Sequence, residues 1–451
     1  MNTFSPPTRL HHHVIGFLSA DSGLGQSGRI LLHKLEQEGR TVHGTALSTG
    51  DSRTGRIKAD AWSNEPRARN ARSGQHIQWV HINPPEVTFS WGCNAPRQVQ
   101  DASAFKVAVP FWELEKLPAD WVRTLNAFDA VAAPTTFIRK ALEASGVTAP
   151  IVDLPLITEG LDEAGDVAGD RQRFGLPEEG FLFLSHFDLS SGPSRKNPEA
   201  AVRAFMAAFH DRREGPEAPH LVVAMNNPEV LDLASDAIKA LMDQTQAFPN
   251  IHWRPGHIAE ADLPAFRASF DAVVSLHRAE GLGLVPLEMM AIGKPAVVTA
   301  YSGNMAYCTP ENAALVTYDR VPVRALHPLY HNAIKEHPDL RWAEAHIDKA
   351  AEAMQRLVDD PAHCAALAAQ ARKDVRRHAE ASWAECIAEV EALAAESGPR
   401  SSAVWEERYA WCSCPFDPDV PAPKLSPALK AKHQWSDFKR KLGWNFRIFR
   451  K

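Results

Sequence analysis

Short runs of β-branched and aliphatic residues alternate along this chain with longer stretches whose apolar positions recur every three to four residues. That is the rhythm of strands and helices wound into open parallel sheets. In the first part, residues 14–19, 41–47, 77–82, 106–109, 128–133 and 151–154 read as strands, and residues 26–39 and 136–145 as helices, the first closed by Gly39. Residues 50–74, rich in Asp, Arg, Asn and Gly, read as loop. The periodicity weakens over 158–180, where Gly, Asp and Glu accumulate, and a second series follows. Its strands are expected at 181–185, 220–225, 251–253, 272–276, 295–299 and 314–316, and its helices at 198–209, 230–247, 263–268 and 286–292. Residues 343–395 read as helical and broken at Pro361. The expected fold class is α/β, two doubly wound Rossmann-like domains facing a cleft. An N-terminal domain covers 1–157, a linker 158–180, a second domain 181–375, a helix returning to the first domain 376–397, and a tail 398–451.

Composition narrows the classes. A chain of 451 residues, 45% hydrophobic and 23% charged, has apolar material for more than one core and is no disordered polymer. A formal net charge of −6 gives no general attraction to nucleic acid. No stretch reaches the roughly 18 apolar residues of a spanning helix, and the first residues lack a secretory pattern, so a cytoplasmic location is expected. The six cysteines include no C-x-x-C pair, which argues against a disulfide framework or zinc ribbon, and Cys412 and Cys414 read as structurally neutral. His11, His12 and His13 read as a solvated N-terminal segment. Asp417-Pro418-Asp419 lies in a Pro-rich stretch, so no metal is expected. Residues 424–451 carry six Lys and three Arg against one Asp, interleaved with Trp435, Phe438, Trp444, Phe446 and Phe449. That pattern suits an anionic membrane surface, or alternatively the acidic body of the protein itself.

The most informative segment is 271–300, DAVVSLHRAEGLGLVPLEMMAIGKPAVVTA. It reads as strand, glycine-bearing loop, short helix, glycine stop and strand: Pro286 suits a first helical turn and Gly293 the position past the helix end. Glu280 stands ahead of the loop and Glu288 within the helix. Between them, Gly281, Leu282, Gly283 and Leu284 can bring backbone N–H groups to an anion at a helix N-terminus. A sugar nucleotide offers sugar hydroxyls, a diphosphate and ribose hydroxyls, which these three features match in order.

Glu280 through Glu288 resembles the E-x7-E element of retaining glycosyltransferases with the two-domain B-type fold, especially glycosyltransferase family 4 of the bacterial polysaccharide type. Residues 185–198, including Arg195, Lys196, Asn197 and Pro198, resemble the stretch that opens the C-terminal domain of those enzymes. Residues 301–304 resemble the loop after the second strand, and Ser22 to Ser27 the Gly-rich first loop. The resemblance implies transfer of a hexose, with mannose from GDP-mannose suggested, from a nucleoside-diphosphate sugar to a hydroxyl of a glycan or lipid-linked glycan. It implies no cofactor. Glu280 would orient the sugar, Glu288 hold the ribose, and Arg195 and Lys196 neutralise diphosphate. Amides of Gly23 to Gly25 and Gly281 to Leu284 would complete the anion site. Glu113, His81 and Asn83 are candidates for the acceptor or sugar side. Two departures stand out: Asp188 lies where many members carry arginine, and Glu113 where many carry histidine. On this reading Glu280→Gln and Lys196→Ala stop transfer and leave the fold intact.

Three competing readings share some of these features. Gly23, Gly25 and Gly28 satisfy G-x-G-x-x-G, the fingerprint of a dinucleotide oxidoreductase, but strand 41–47 ends without an acid for a ribose hydroxyl. A non-catalytic nucleotide-sugar-binding protein, or a sugar-nucleotide epimerase, of the same fold would carry many of the same residues.

Overall fold

A computed structural model describes residues 10–47, 62–63, 76–84, 104–158, 167–227, 236–324 and 327–397. The chain divides into two compact units. The first takes Met1–Phe111, Leu117–Ile157 and Ala381–Lys451; the second takes Thr158–Glu380 together with the short segment Trp112–Lys116.

The first unit is built on seven strands: β1 (His11–Gly16), β2 (Thr41–Ala46), β3 (Trp62–Ser63), β4 (His76–His81), β5 (Phe105–Ala108), β6 (Ala130–Ala133) and β7 (Ile151–Asp153). They are ordered β3-β2-β1-β4-β5-β6-β7, and every pair is parallel. Helices Gly23–Gln37 and Thr136–Ala144 are capped by Ser22 and Thr135, whose side chains accept from the Gly25 and Ile138 amides. The Ala384–Ser397 helix also belongs to this unit. Glu391 on it accepts from Arg40 at 2.7 and 3.0 Å, and lies 3.1 Å from the His12 ring.

The second unit repeats the plan: β8 (Leu182–Asp188), β9 (His220–Asn226), β10 (Ile251–Pro255), β11 (Ala272–Ser275), β12 (Ala296–Thr299) and β13 (Ala314–Val316), ordered β10-β9-β8-β11-β12-β13 and all parallel. Helix Pro198–Phe209 starts on a proline and presents Phe205 and Phe209 to Phe183 of the sheet. Burying a phenylalanine of this kind contributes about 1.5–3 kcal/mol. Both sheets reverse strand order beside their first strand, and in such folds ligands gather at the carboxyl ends of the strands flanking that reversal.

Several expectations from the pattern are corrected. His11, His12 and His13 are not a solvated segment. They open the central strand β1, flanked by β2 and β4, and His12 and His13 are buried. The His13 ring stacks on His43 at 3.9 Å and faces His76 at 5.6 Å. Residues 343–345 belong to a strand: β14 (Tyr318–Pro322) and β15 (Arg341–Ala345) form an antiparallel pair, and helices follow at Ile347–Asp359 and Pro361–Ala379. Part of the expected helix 230–247 lies outside the described residues; Asp236–Gln244 is helical, as is Ala119–Leu125, which the pattern did not suggest. Cys412, Cys414, Asp417, Asp419 and the basic segment 424–451 also lie outside them.

Candidate functional site

In the second unit the strand order reverses between β8 and β11, and the residues that follow those two strands meet there. After β8 the chain makes a turn of helix, Pro193–Lys196, ending at Asn197 with φ +52°, a left-handed conformation that asparagine tolerates. The Asn197 amide donates to the Leu276 carbonyl at 3.1 Å, and the Arg278 N–H donates to the Arg195 carbonyl at 2.8 Å. The β14–β15 pair supports this junction from behind. Arg278 grips Glu344 at 2.7 and 2.9 Å and donates to the Ser194 carbonyl, and the Ala343 N–H donates to the Arg278 carbonyl at 3.0 Å. The turn that carries Arg195 and Lys196 is thereby fixed to the segment that carries Glu280.

The result is a buried ion cluster. Glu280 Oε1 accepts from Lys196 Nζ at 2.5 Å, and Oε2 lies 3.0 Å from Arg195 Nη1. Burial alone would raise the Glu280 carboxyl, but the cations of Arg195 and Lys196 outweigh it and bring it down to about 2, so Glu280 is an anion at neutral pH. Arg195 also donates to the Ala279 carbonyl at 2.9 Å and has Glu113 Oε1 at 3.8 Å. The Lys196 side chain keeps 22% of its surface exposed against 6% for Arg195, and burial draws its ammonium below the ordinary lysine value. His277, fully buried three residues before Glu280, is pushed down to about 4 by burial and is neutral near pH 7.

Backbone geometry fixes the loop between the two glutamates. Gly283 caps the Leu284–Ala291 helix at φ +86°, and its carbonyl accepts from Tyr307 Oη at 2.6 Å. The Glu280 N–H donates to Ser302 Oγ and the Gly303 N–H to the Glu280 carbonyl, both at 2.8 Å. Gly303 must be glycine, because a Cβ there would lie 2.0 Å from the Gly281 carbonyl oxygen. Leu284 is the first helical residue rather than a loop residue, and Leu282 is buried. Glu288, two turns of chain further on, pairs with Arg267 at 2.7 Å with both side chains nearly buried. Nearby, His186 of β8 is lowered to about 4, by burial first and by the Arg267 charge second.

The expected residues of the first unit sit differently. Gly23 and Gly25 lie in the first turn of a helix, and the Gly25 N–H is taken by Ser22 Oγ at 3.1 Å. Gly25 is demanded by packing, since a Cβ would lie 2.1 Å from the Ala20 carbonyl oxygen. His81 is fully buried at the end of β4 with Nε2 3.1 Å from Ser27 Oγ, and burial lowers it to about 4. Asn83 Oδ1 accepts from the Phe111 N–H at 2.8 Å. His81 and Asn83 thus make contacts internal to their own unit. Glu113 is placed with the second-unit cluster: Oε2 accepts from Tyr330 Oη at 2.9 Å. Glu115 instead makes an exposed pair with Arg320.

The sequence reading missed Arg267, His277 and Tyr330. His277 lies inside the informative segment and its proximity to Glu280 was a usable signal. Arg267 and Tyr330 reach the site from separate elements and carry no local spacing. Among the described residues, no group of three or more His, Cys, Asp or Glu side chains has the arrangement to hold a metal ion. No described helix is long and apolar enough to cross a membrane.

The fold is the glycosyltransferase-B fold. The chain aligns over 87% of its length with all of α,α-trehalose 6-phosphate synthase from Burkholderia multivorans at a TM-score of 0.59 and 13% identity. It aligns over 86% of its length with 99% of Anabaena Alr3699/HepE, solved in complex with UDP and glucose, at 0.54 and 14% identity. Residues 195–339, which contain the ion cluster and both glutamates, match the family model described as glycosyl transferases group 1. D-inositol 3-phosphate glycosyltransferase from Salinispora arenicola (strain CNS-205) is 29% identical over 277 residues, 59% of this chain and 53% of that protein. The chain therefore spans about half the length of the curated relative it matches.

Proposed function

We propose that this chain is a retaining glycosyltransferase that moves a hexose from a nucleoside-diphosphate sugar to a hydroxyl of a glycan or lipid-linked glycan, without a metal. The observation that carries the reading is the Glu280–Arg195–Lys196 cluster at the strand-order reversal of the second unit, with Glu288 on the helix that follows. The group 1 glycosyl transferase match over 195–339 supports the reaction class, and the name of the Salinispora relative is in keeping with it.

Each role follows from chemistry. The Glu280 anion accepts hydrogen bonds from sugar hydroxyls, and Glu288 accepts from the ribose hydroxyls in competition with Arg267. Lys196 faces the diphosphate as negative charge grows on its leaving oxygen, while Arg195 holds Glu280 in place. The bond from the anomeric carbon to the diphosphate oxygen breaks, and its electron pair stays with the diphosphate. The acceptor oxygen forms the new bond on the same face, and its proton passes to a diphosphate oxygen. Losing one charged stabiliser of such a step costs on the order of 10²- to 10³-fold in rate.

Mannose from GDP-mannose is the first donor to test, and the basic aromatic segment 424–451 would hold the protein at an anionic membrane face beside a lipid-linked acceptor. A panel of UDP- and GDP-sugars read by thermal shift, followed by release of nucleoside diphosphate with candidate acceptors and the anomeric configuration of the product by NMR, tests the reading. Stabilisation by one donor and a product of unchanged configuration are expected. No response to any nucleotide sugar, or an inverted product, counts against it. Unchanged binding to anionic vesicles after removal of 424–451 would reject the membrane role.

A further inference from the structure

Glu113 was a candidate for touching the acceptor, yet its surroundings describe another task. Its carboxylate lies between two buried groups of the second unit: Oε2 accepts from Tyr330 Oη at 2.9 Å, and Oε1 stands 3.8 Å from Arg195 Nη2. Tyr330 is 2% exposed, its ring lies 5.6 Å from that of Trp112, and burial raises its phenol well above the ordinary value, so it donates a hydrogen bond across the whole physiological range. On the far side of the guanidinium, Arg195 Nη1 meets both Glu280 Oε2 at 3.0 Å and the Ala279 carbonyl at 2.9 Å. The order Tyr330, Glu113, Arg195, Glu280 is therefore a continuous chain of polar contacts, closed by a hydrogen bond at one end and by ion pairs at the other.

We infer that Glu113 and Tyr330 are positioning residues: they hold the Arg195 guanidinium against Glu280 and so fix the carboxylate that orients the transferred sugar. Arg195 sits between two anions, one beside each terminal nitrogen, and its planar fork is oriented by both. Without Glu113 the guanidinium keeps its Nη1 contacts to Glu280 and the Ala279 carbonyl but loses the anion beside Nη2, and the angle it imposes on the Glu280 carboxylate relaxes. Misplacement of a positioning group by about 1 Å is enough to cost on the order of 10²-fold in rate without touching ground-state binding.

This inference rests on the reading of the site as a sugar-nucleotide site, and the test separates the two. The full chain is assayed for slow transfer of the sugar to water, with no acceptor present, using whichever of UDP-glucose, UDP-N-acetylglucosamine and GDP-mannose is turned over. Binding of UDP and GDP is measured alongside by calorimetry. Binding to the wild-type chain tests the site reading by itself; if neither nucleotide binds, that reading and this inference both fall. Given binding, Tyr330→Phe, which removes one hydroxyl, is expected to lower kcat for water transfer about 10-fold, and Glu113→Gln about 100-fold. Donor KM and nucleotide Kd are expected to stay within about twofold of wild type in both. The double variant should be no slower than Glu113→Gln alone, because both changes break one relay. Water transfer at the wild-type rate in Tyr330→Phe and Glu113→Gln, with only acceptor KM raised, would overturn the inference and make Glu113 an acceptor contact. Fully multiplicative losses in the double variant would overturn it as well.

Discussion

Glu280→Gln removes one negative charge from a site where two cations are held out of water. The Glu280 side chain is 8% exposed, with Lys196 Nζ at 2.5 Å and Arg195 Nη1 at 3.0 Å. A carboxyl brought to about 2 from an ordinary 4.5 reports about 3 kcal/mol of interaction favouring its charged form in the folded state. The same size is expected when one partner of a buried pair is removed and the other charges stay behind. The fold is expected to persist at a cost: the second unit should lose about 3 kcal/mol, roughly 6–12 °C in melting temperature for a unit of its size. Calorimetric melting at pH 7 reads the loss. Adding Lys196→Met should recover part of it, since the double variant buries one orphaned cation instead of two. The sign with pH is fixed too. A carboxyl depressed in the folded state contributes stability that is complete above 4.5 and is lost as pH falls toward 2, so the gap between wild type and Glu280→Gln should narrow in acid. Melting of Glu280→Gln within about 1 °C of wild type at pH 7 would refute the reasoning, because a cluster of this burial cannot lose its anion at no cost.

Three further expectations are independent of that one. Gly303→Ala drives a Cβ into the Glu280–Gly281 backbone, 2.0 Å from the Gly281 oxygen, and should lower both turnover, by about 10²-fold, and stability, by about 1–3 kcal/mol; wild-type turnover in this variant would disprove the close approach. Glu288→Gln should raise donor KM and nucleotide Kd by about 10-fold with little change in kcat, and a kcat collapse at constant KM would place Glu288 in the chemical step instead. His81, His186 and His277 are each held at about 4 against an ordinary 6.5, so the unfolded chain takes up protons first as pH falls. Stability should be level above pH 7 and decline below 6.5, by about 2 kcal/mol for each of these histidines at pH 5; a melting temperature constant between pH 7 and 5 would contradict it.

The parts of this molecule that were legible in its sequence are those governed by local chemistry. Helices Pro198–Phe209 and Leu263–Ala268 fall where the periodicity and their starting residues place them, and the strand, loop and helix from Ala272 to Ala291 follow from Gly283, Pro286 and Gly293. Glu280 and Lys196 are brought together as the motif suggested, because the parallel order β8-β11 places the ends of two strands side by side. What the sequence hid depends on tertiary neighbours. Three consecutive histidines look solvated until β1 is seen to be a central strand between β2 and β4. Gly23 and Gly25 read as loop, and Ser22 caps the helix that they begin. The strands β14 and β15 are separated by eighteen residues, so neither hydrophobic alternation nor a tight turn announced the pair. Tyr330 and Arg267 reach Glu113 and Glu288 across more than any local window spans.

The central claim is that the Lys196 cation of the second unit receives the diphosphate of a sugar nucleotide. Calorimetric titration of UDP, UMP, GDP and GMP into the wild-type chain and into Lys196→Ala tests it most directly. One site per chain is expected, preferring one diphosphate over its monophosphate by about 10-fold or more, with that preference lost in Lys196→Ala while the monophosphate still binds. Equal affinity for diphosphate and monophosphate in the wild type, or a preference that survives Lys196→Ala, would contradict it.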